Sequence, residues 1–547
     1  MKPLRSLGNF SAVALPFTLF SLLLTLSLNH PLLPTLPLVG STFLFLSLHF
    51  FLLSLTISFL TTQLLQFIAG KSFDSKPLSV ELIYPSLLFH LLYLGILYPL
   101  NLWKYRAFLT PTIKNLFLGL TLLFLGLFSL LLLFNRRFIR KEGREKIRRI
   151  LALFLLGLTL VPPATLPLLF STAALSTLPP SPPRSSARVS PLPEGRIINL
   201  YIDGLSLDFL FRLIPDGKLP NFSWLRENGS WGTLRSFSPP SPPAPLASYL
   251  SGLPPSQHHR FSLQTLAPGR SGSPSLYFFP DGFFFVFMER LGLFHETLAP
   301  TNLDSLFQDL EKQGLPCRGI TSFRDEEAPG DYLLLRQPLP PPFENLKING
   351  DSRSQNLRFN ILLDNKRLSL FRSLLQEDRR SRLLFLYLDG LLDTEQRFYR
   401  YALPEYFSGV TEEEVHLFGD VIERYYQFLD QALGQIITSM GNQDLLVITS
   451  SLEIEPVNPV NQVMDQLFHQ DEYSASFGEK TTGVIIFYGD AVKRGESPGD
   501  FAVTDAYPLF FYYLRLPLPS RVQGGINLKM FTRDFIRENP LIYSIRR

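Results

Sequence analysis

The chain has 547 residues, 46% of them hydrophobic, and a formal charge of only +4 at pH 7. Its single cysteine, Cys317, excludes an intrachain disulfide and a cysteine-rich zinc site. No basic stripe interleaved with aromatics is present, so nucleic acid is not an expected partner.

The apolar residues are concentrated in the first third. Stretches at about 11–29, 36–68, 80–102, 108–135 and 150–172 are each long enough to cross a hydrocarbon core, which takes about 20 apolar residues. Residues 1–172 are therefore expected to form a membrane domain of about five transmembrane helices. Lys2, Arg5, Lys71, Lys76 and a cluster from Arg136 to Arg149 fall on one side of such a bundle. An excess of Lys and Arg marks the cytoplasmic face, although Lys104 and Arg106 lie on the opposite side. The remainder is expected in the periplasm or extracellular space, carried by an integral plasma-membrane base in contact with membrane lipids. Residues 173–195 are rich in Pro and Ser and read as a semi-extended linker.

From residue 196 to 547 the pattern becomes that of a water-soluble domain. Arg196–Asp203, Arg382–Asp389, Asp444–Ser450 and Gly483–Gly489 are short apolar runs bounded by turn residues. Such runs, separated by helical segments, predict parallel strands buried on both faces. Val415–Met440 has apolar residues at helical spacing. The expected fold is α/β, a mostly parallel sheet with helices on both faces, and ligands in such sheets sit beyond the carboxyl ends of the strands. Asp203, Asp393 and Ser451 fall there. Asp389, Asp393 and Glu395 lie in one short segment, read as a solvated acidic loop or, alternatively, a site for a hard cation such as calcium or magnesium.

Several segments in order resemble one superfamily. Ile202-Asp203-Gly204, Leu219-Pro220-Asn221, the run Ala247–Pro255 with His258, Tyr387–Arg397, Tyr425–Gly434, Ile448–Glu453, Gly483–Gly489 and Val503–Pro508 follow one another as in the alkaline phosphatase superfamily. The type I phosphodiesterase/nucleotide pyrophosphatase and sulfatase-like branch is the most similar. Five membrane helices ahead of such a head also resemble the phosphoethanolamine transferases and lipoteichoic acid synthases. The resemblance implies two metal ions, usually zinc, held by Asp and His, and a Thr or Ser nucleophile attacking phosphorus or sulfur. Paired cations activate the nucleophile and stabilise the leaving oxygen.

Residue by residue, the chemical positions depart from that pattern. The first Asp is present as Asp203 and the middle Asp as Asp393. The nucleophile position falls on Pro242, with Ser241 one register away as the candidate nucleophile. The expected histidine partner of Asp393 reads Arg397. The Asp-His pair after the third strand reads Ser451-Leu452, and the last histidine reads Lys480. Asp203 and Asp393 are remnant metal ligands that would belong to different ions. Arg397 and Lys480 place fixed cations where the metals' charge would sit, suited to ion pairs with the remnant acids or to an anionic head group or glycan phosphate.

The expected function is a catalytically inactive pseudoenzyme with a binding or scaffolding role in the cell envelope and no metal cofactor. Two other readings stay open. One is an active hydrolase or transferase of phosphoester or sulfate groups on envelope lipids or glycans, using Ser241 and zinc or another divalent metal. The other is a structural subunit docking an envelope protein partner.

Overall fold

The computed structural model describes residues 195–237, 243–258, 265–266, 276–277, 304–320, 335–346, 351–457, 462, 473–477, 482–519 and 521–542, with helical positions at 103, 115, 118, 119, 122 and 126. Apart from those positions, the expected membrane spans and the linker up to residue 194 lie outside the described residues, as do Ser241, Pro242 and Lys480. Among the described residues no helix is long and apolar enough to cross a membrane.

The chain divides into two compact units, one of 1–184 with 262–299 and one of 185–261 with 300–547. In the first, the described elements include a two-stranded antiparallel ribbon of Thr265–Leu266 and Leu276–Tyr277. The second is the α/β domain, and elements are numbered within it.

The domain opens with β1 (Ile197–Ile202), α1 (Leu207–Leu213), α2 (Pro220–Asn228) and β2 (Ser230–Arg235). Next come α3 (Pro243–Ser251), α4 (Asp304–Lys312), β3 (Cys317–Ile320) and α5 (Ser352–Glu377). β4 (Leu383–Leu388), α6 (Gly390–Ala402), α7 (Glu412–Phe418), α8 (Val421–Ser439) and β5 (Leu445–Ser450) follow. The last elements are β6 (Ile454–Pro456), β7 (Ala475–Phe477), β8 (Thr482–Tyr488), β9 (Asp500–Ala502), α9 (Ala506–Tyr513) and α10 (Arg533–Glu538).

Seven strands form one sheet in the order β9-β2-β8-β5-β1-β4-β3. β1 lies parallel between β4 and β5, with Ile197 opposite both Leu383 and Leu445. All residues of these three strands are buried, as expected of continuous apolar runs covered on both faces. Gly483–Gly489 differs from expectation: β8 runs antiparallel to both β5 and β2. A continuous apolar run reports burial on both faces but not strand direction, which the connection before it decides. The helix expected over 415–440 is two helices. α7 ends at Gly419 and α8 starts after Asp420.

Two cores flank the sheet. Ile198, Leu200 and Ile202 face α1, α2, α5, α6 and α8, whereas Ile197 and Tyr201 face α3, α4 and α9. This alternation is the period of two of an extended strand. At the start of β1, Arg196 is buried and fixed to Asp444 ahead of β5, Nη2 to Oδ2 at 2.8 Å and backbone N to Oδ1 at 2.9 Å. Its Nη1 also donates to Leu375 O in the last turn of α5 and to Asp378 O just past it. Burial acts to raise the Asp444 pKa, but donors from Arg196 and Gly441 hold it below the usual carboxylate range.

Candidate functional site

β1, β4 and β5 end together, and Asp203 N donates to Leu388 O at 2.9 Å. The parallel register that sets Ile202 beside Leu388 puts Asp203 and Asp389 next to each other just past their strands. Gly204 then turns the chain with φ +88°, a left-handed conformation that favours glycine. The carboxyl edge of the sheet therefore gathers acids, as the sequence suggests, but each acid is engaged by the protein itself.

Asp203 is buried, and Tyr387 donates its hydroxyl to Asp203 Oδ2 at 2.6 Å. Burial pushes the Asp203 pKa up to about 7, the Tyr387 hydrogen bond opposes this, and the charge of Asp389 adds to it. Tyr201 donates to Ser451 Oγ at 2.6 Å. Burial holds both tyrosine hydroxyls far above their ordinary pKa, so they stay protonated donors. Below them, Asn199 Nδ2 donates to Tyr249 Oη at 2.7 Å, and Tyr249 Oη lies 3.0 Å from Thr449 Oγ1. Leu452, where the resemblance expects a histidine, is a buried apolar side chain.

Asp393 lies in the first turn of α6, and Arg397 one turn later on the same face. Arg397 Nε donates to Asp393 Oδ2 at 2.9 Å, with both side chains largely buried. Asn360 Nδ2 reaches the same oxygen at 2.6 Å. Arg397 Nη2 donates to Tyr473 Oη at 3.0 Å, and the guanidinium stacks 4.7 Å from the Tyr473 ring centroid. Arg397 thus has its charge matched and its plane covered. Of the two ion pairs expected from the sequence, the one between Arg397 and Asp393 is formed. The matching pair of Lys480 with Asp203 falls outside the described residues.

The segment Asp389–Glu395 is not a solvated loop. It begins α6, and Asp393 and Glu395 are buried. Its three acids point to three different partners, so they do not converge on one cation. Arg367 Nη1 donates to Asp389 Oδ1 at 2.7 Å and to Asp364 Oδ1 at 3.3 Å. Tyr425 donates to Asp364 Oδ2 at 2.7 Å. Tyr426 donates to Glu395 Oε1 at 3.1 Å and accepts from Ser206 N at 2.9 Å. Burial raises the Glu395 pKa well above its ordinary value, against the opposing hydrogen bond from Tyr426. The packing is close: a Cβ at Gly390 would collide with Tyr425 Oη and Asp364 Oδ2. His258 Nε2, outside this cluster, lies 2.8 Å from Ser248 Oγ.

Several of these partners were not singled out in the sequence. Asn360, Asp364 and Arg367 lie at i, i+4 and i+7 on α5, a polar stripe at helical spacing that signals one shared inward face. Tyr201 and Tyr387 sit opposite one another in the β1–β4 register, but nothing local in the sequence pairs them with Ser451 and Asp203.

Zinc binds through three or four N, O or S donors per ion. The residues described here do not fit that need. Asp203 Oδ2, Asp393 Oδ2 and Ser451 Oγ each accept hydrogen bonds from the protein, Leu452 has no donor atom, and Arg397 is a fixed cation beside Asp393. Among the described residues, no group of three or more His, Cys, Asp or Glu is placed to hold a metal ion.

Residues 197–507 match the family described as type I phosphodiesterase/nucleotide pyrophosphatase. Among solved structures, the chain is similar to an inactive form of murine ectonucleotide pyrophosphatase/phosphodiesterase 5 in complex with AMP, at 12% identity and a TM-score of 0.37. That similarity covers 62% of this chain and 100% of the murine one. No curated protein matches the chain. With more than half of its length matched, from β1 to the start of α9, the chain belongs to the type I phosphodiesterase/nucleotide pyrophosphatase family, within the alkaline phosphatase superfamily.

Proposed function

We propose that this protein is a membrane-anchored pseudoenzyme: an alkaline phosphatase-type head that has exchanged its metal centre for internal ion pairs and hydroxyl bridges. It serves a binding or scaffolding role in the cell envelope. The observation that carries this reading is the Arg397–Asp393 pair, 2.9 Å apart and largely buried. A guanidinium fixed there opposes a divalent cation by charge and competes with it for Asp393 Oδ2. Tyr387 on Asp203 and Tyr201 on Ser451 act in the same sense, since their raised pKa keeps them protonated. The apolar stretches of residues 1–172 support an anchored protein, and the distribution of Lys and Arg supports an extracytoplasmic head. Membrane lipids, an anionic head group or glycan, and an envelope protein are the partner classes that fit this placement.

Metal analysis of the purified full chain, with a screen of phosphodiesters, phosphomonoesters and sulfate esters, tests the reading. The expected result is no stoichiometric zinc and no turnover above background. Stoichiometric zinc, with turnover lost in both Ser241→Ala and Asp203→Ala, would establish an active hydrolase or transferase instead.

A further inference from the structure

The amino-terminal edge of the sheet, opposite the altered site, has its own chemistry. The linker enters the domain there, at Gly195 before β1. On one flank, Tyr488 ends β8 opposite Leu446, the residue that also pairs with Ile198 near the start of β1. Trp224 packs 4.9 Å from the Tyr488 ring and remains 39% exposed. On the other flank, Arg379 and Arg380 are exposed in the turn from α5 into β4. Neither takes part in an ion pair among the described residues. Arg318 beside them, at the start of β3, has a 67% exposed side chain.

The acids of this turn offset only part of that charge. Glu377 is exposed. Asp378 is turned onto its own loop, accepting from Ser381 Oγ at 2.6 Å and from the Arg380 and Ser381 amides, with Arg318 Nε at 3.6 Å. β8 and β3 are separated by β5, β1 and β4, which puts the two flanks about 19 Å apart at ordinary strand spacing. The edge thus presents an amphipathic aromatic on one side and arginines on the other, with the start of β1 between them. An interfacial tryptophan with arginines is the combination that suits the head-group region of a bilayer carrying anionic lipid.

We propose that the amino-terminal edge of the sheet, through Trp224 and the Arg318–Arg379–Arg380 cluster, rests on the surface of an anionic lipid bilayer. In that docked state the carboxyl-terminal edge of the sheet, being opposite, faces away from the lipid surface. This inference rests on the membrane-anchored reading above, and the two fail differently.

The test uses the full chain in vesicles, with Cys317→Ser and Gln376→Cys carrying an environment-sensitive fluorophore beside the arginines. Resistance to alkaline carbonate extraction is the separate measure of anchoring. The expected result is an extraction-resistant protein whose label is shielded from the neutral quencher acrylamide in phosphatidylcholine–phosphatidylglycerol vesicles but not in phosphatidylcholine alone. High salt should reverse the shielding, because the screening length falls to about 3 Å at 1 M. Replacing Arg379 and Arg380 by Gln should weaken the docked state about fivefold for each arginine. An extraction-resistant protein whose label is equally open in both vesicle types overturns the docking and leaves the anchoring intact. Shielding found in native membranes but not in pure lipid also overturns it, in favour of an acidic protein partner. A protein extracted by carbonate removes both readings.

Discussion

At the scale of single residues, the acids at the carboxyl edge are bound into the fold by partners of their own. Arg397 and Asp393 are both largely buried, so each needs the other. Truncating one side leaves an uncompensated buried charge, which costs about 3–5 kcal/mol. Arg397→Ala should destabilise the head by that amount in chemical denaturation. The pair Arg397→Leu with Asp393→Leu should cost clearly less, because no charge is stranded. If the double variant is as unstable as the sum of the singles, the two side chains do not act as a pair. Asp364 gives a prediction in pH. Burial and the charge of Asp389 push its pKa up to about 7, against the opposing effects of Arg367 and Tyr425. A carboxyl whose folded pKa is raised stays protonated while the unfolded chain has already released its proton. Its contribution to stability therefore declines as pH rises from about 4 to about 7 and is level above that. Asp364→Asn should flatten this part of the stability profile, gaining on the wild type between about pH 5 and pH 8. An unchanged slope would show that Asp364 is ionised throughout.

At the scale of elements, one helix supplies what another lacks. The start of α2 has Leu219 as its flanking residue and no side-chain cap of its own, with Pro220 as its first residue. Asp430 from the middle of α8 takes the role, accepting from Phe222 N at 2.8 Å and Asn221 N at 3.2 Å. Asn221 Nδ2 also donates to Asp430 Oδ2 at 2.9 Å. The arrangement fixes α2 against α8 and is a capping interaction made through space. Asp430→Ala should cost about 1–2 kcal/mol, the range of a lost N-cap, and Asp430→Asn should cost less because one acceptor oxygen remains. Equal losses in the two variants would argue against capping. The elements themselves were largely legible. β1, β4 and β5 are read within a residue or two from their apolar runs, because a strand buried on both faces admits little else. The direction of β8 was not legible, since both directions bury the same residues. The break between α7 and α8 was marked only by Gly419 and Asp420, inside an apolar pattern that otherwise continues.

At the scale of the whole molecule, the sheet is strongest at its centre. β1 and β5 have hydrogen-bonded neighbours on both sides and helices over both faces, whereas β3 and β9 are edges. Amide exchange should be slowest in β1 and β5 and markedly faster in β3 and β9, since protection follows burial and the loss of free edges. A β3 as protected as β1 would mean that its edge is covered by another part of the protein.

The sequence by itself determined the class of the α/β domain, its central strands and the acids at their ends. These are local properties, set by hydrophobic period and residue type. Only the tertiary structure decided what the surviving acids do. Tyr387 reaches Asp203 across 184 residues of chain, Tyr201 reaches Ser451 across 250, and Arg367 joins Asp364 to Asp389 between a helix and a strand end. No short segment encodes such pairings, because they follow from strand register and from which helix face meets the sheet. Burial then acts on what the pairing has placed: it pushes the Asp203 carboxyl, which the sequence reads as a metal ligand, up to a pKa of about 7, whereas Asp393 is matched by Arg397.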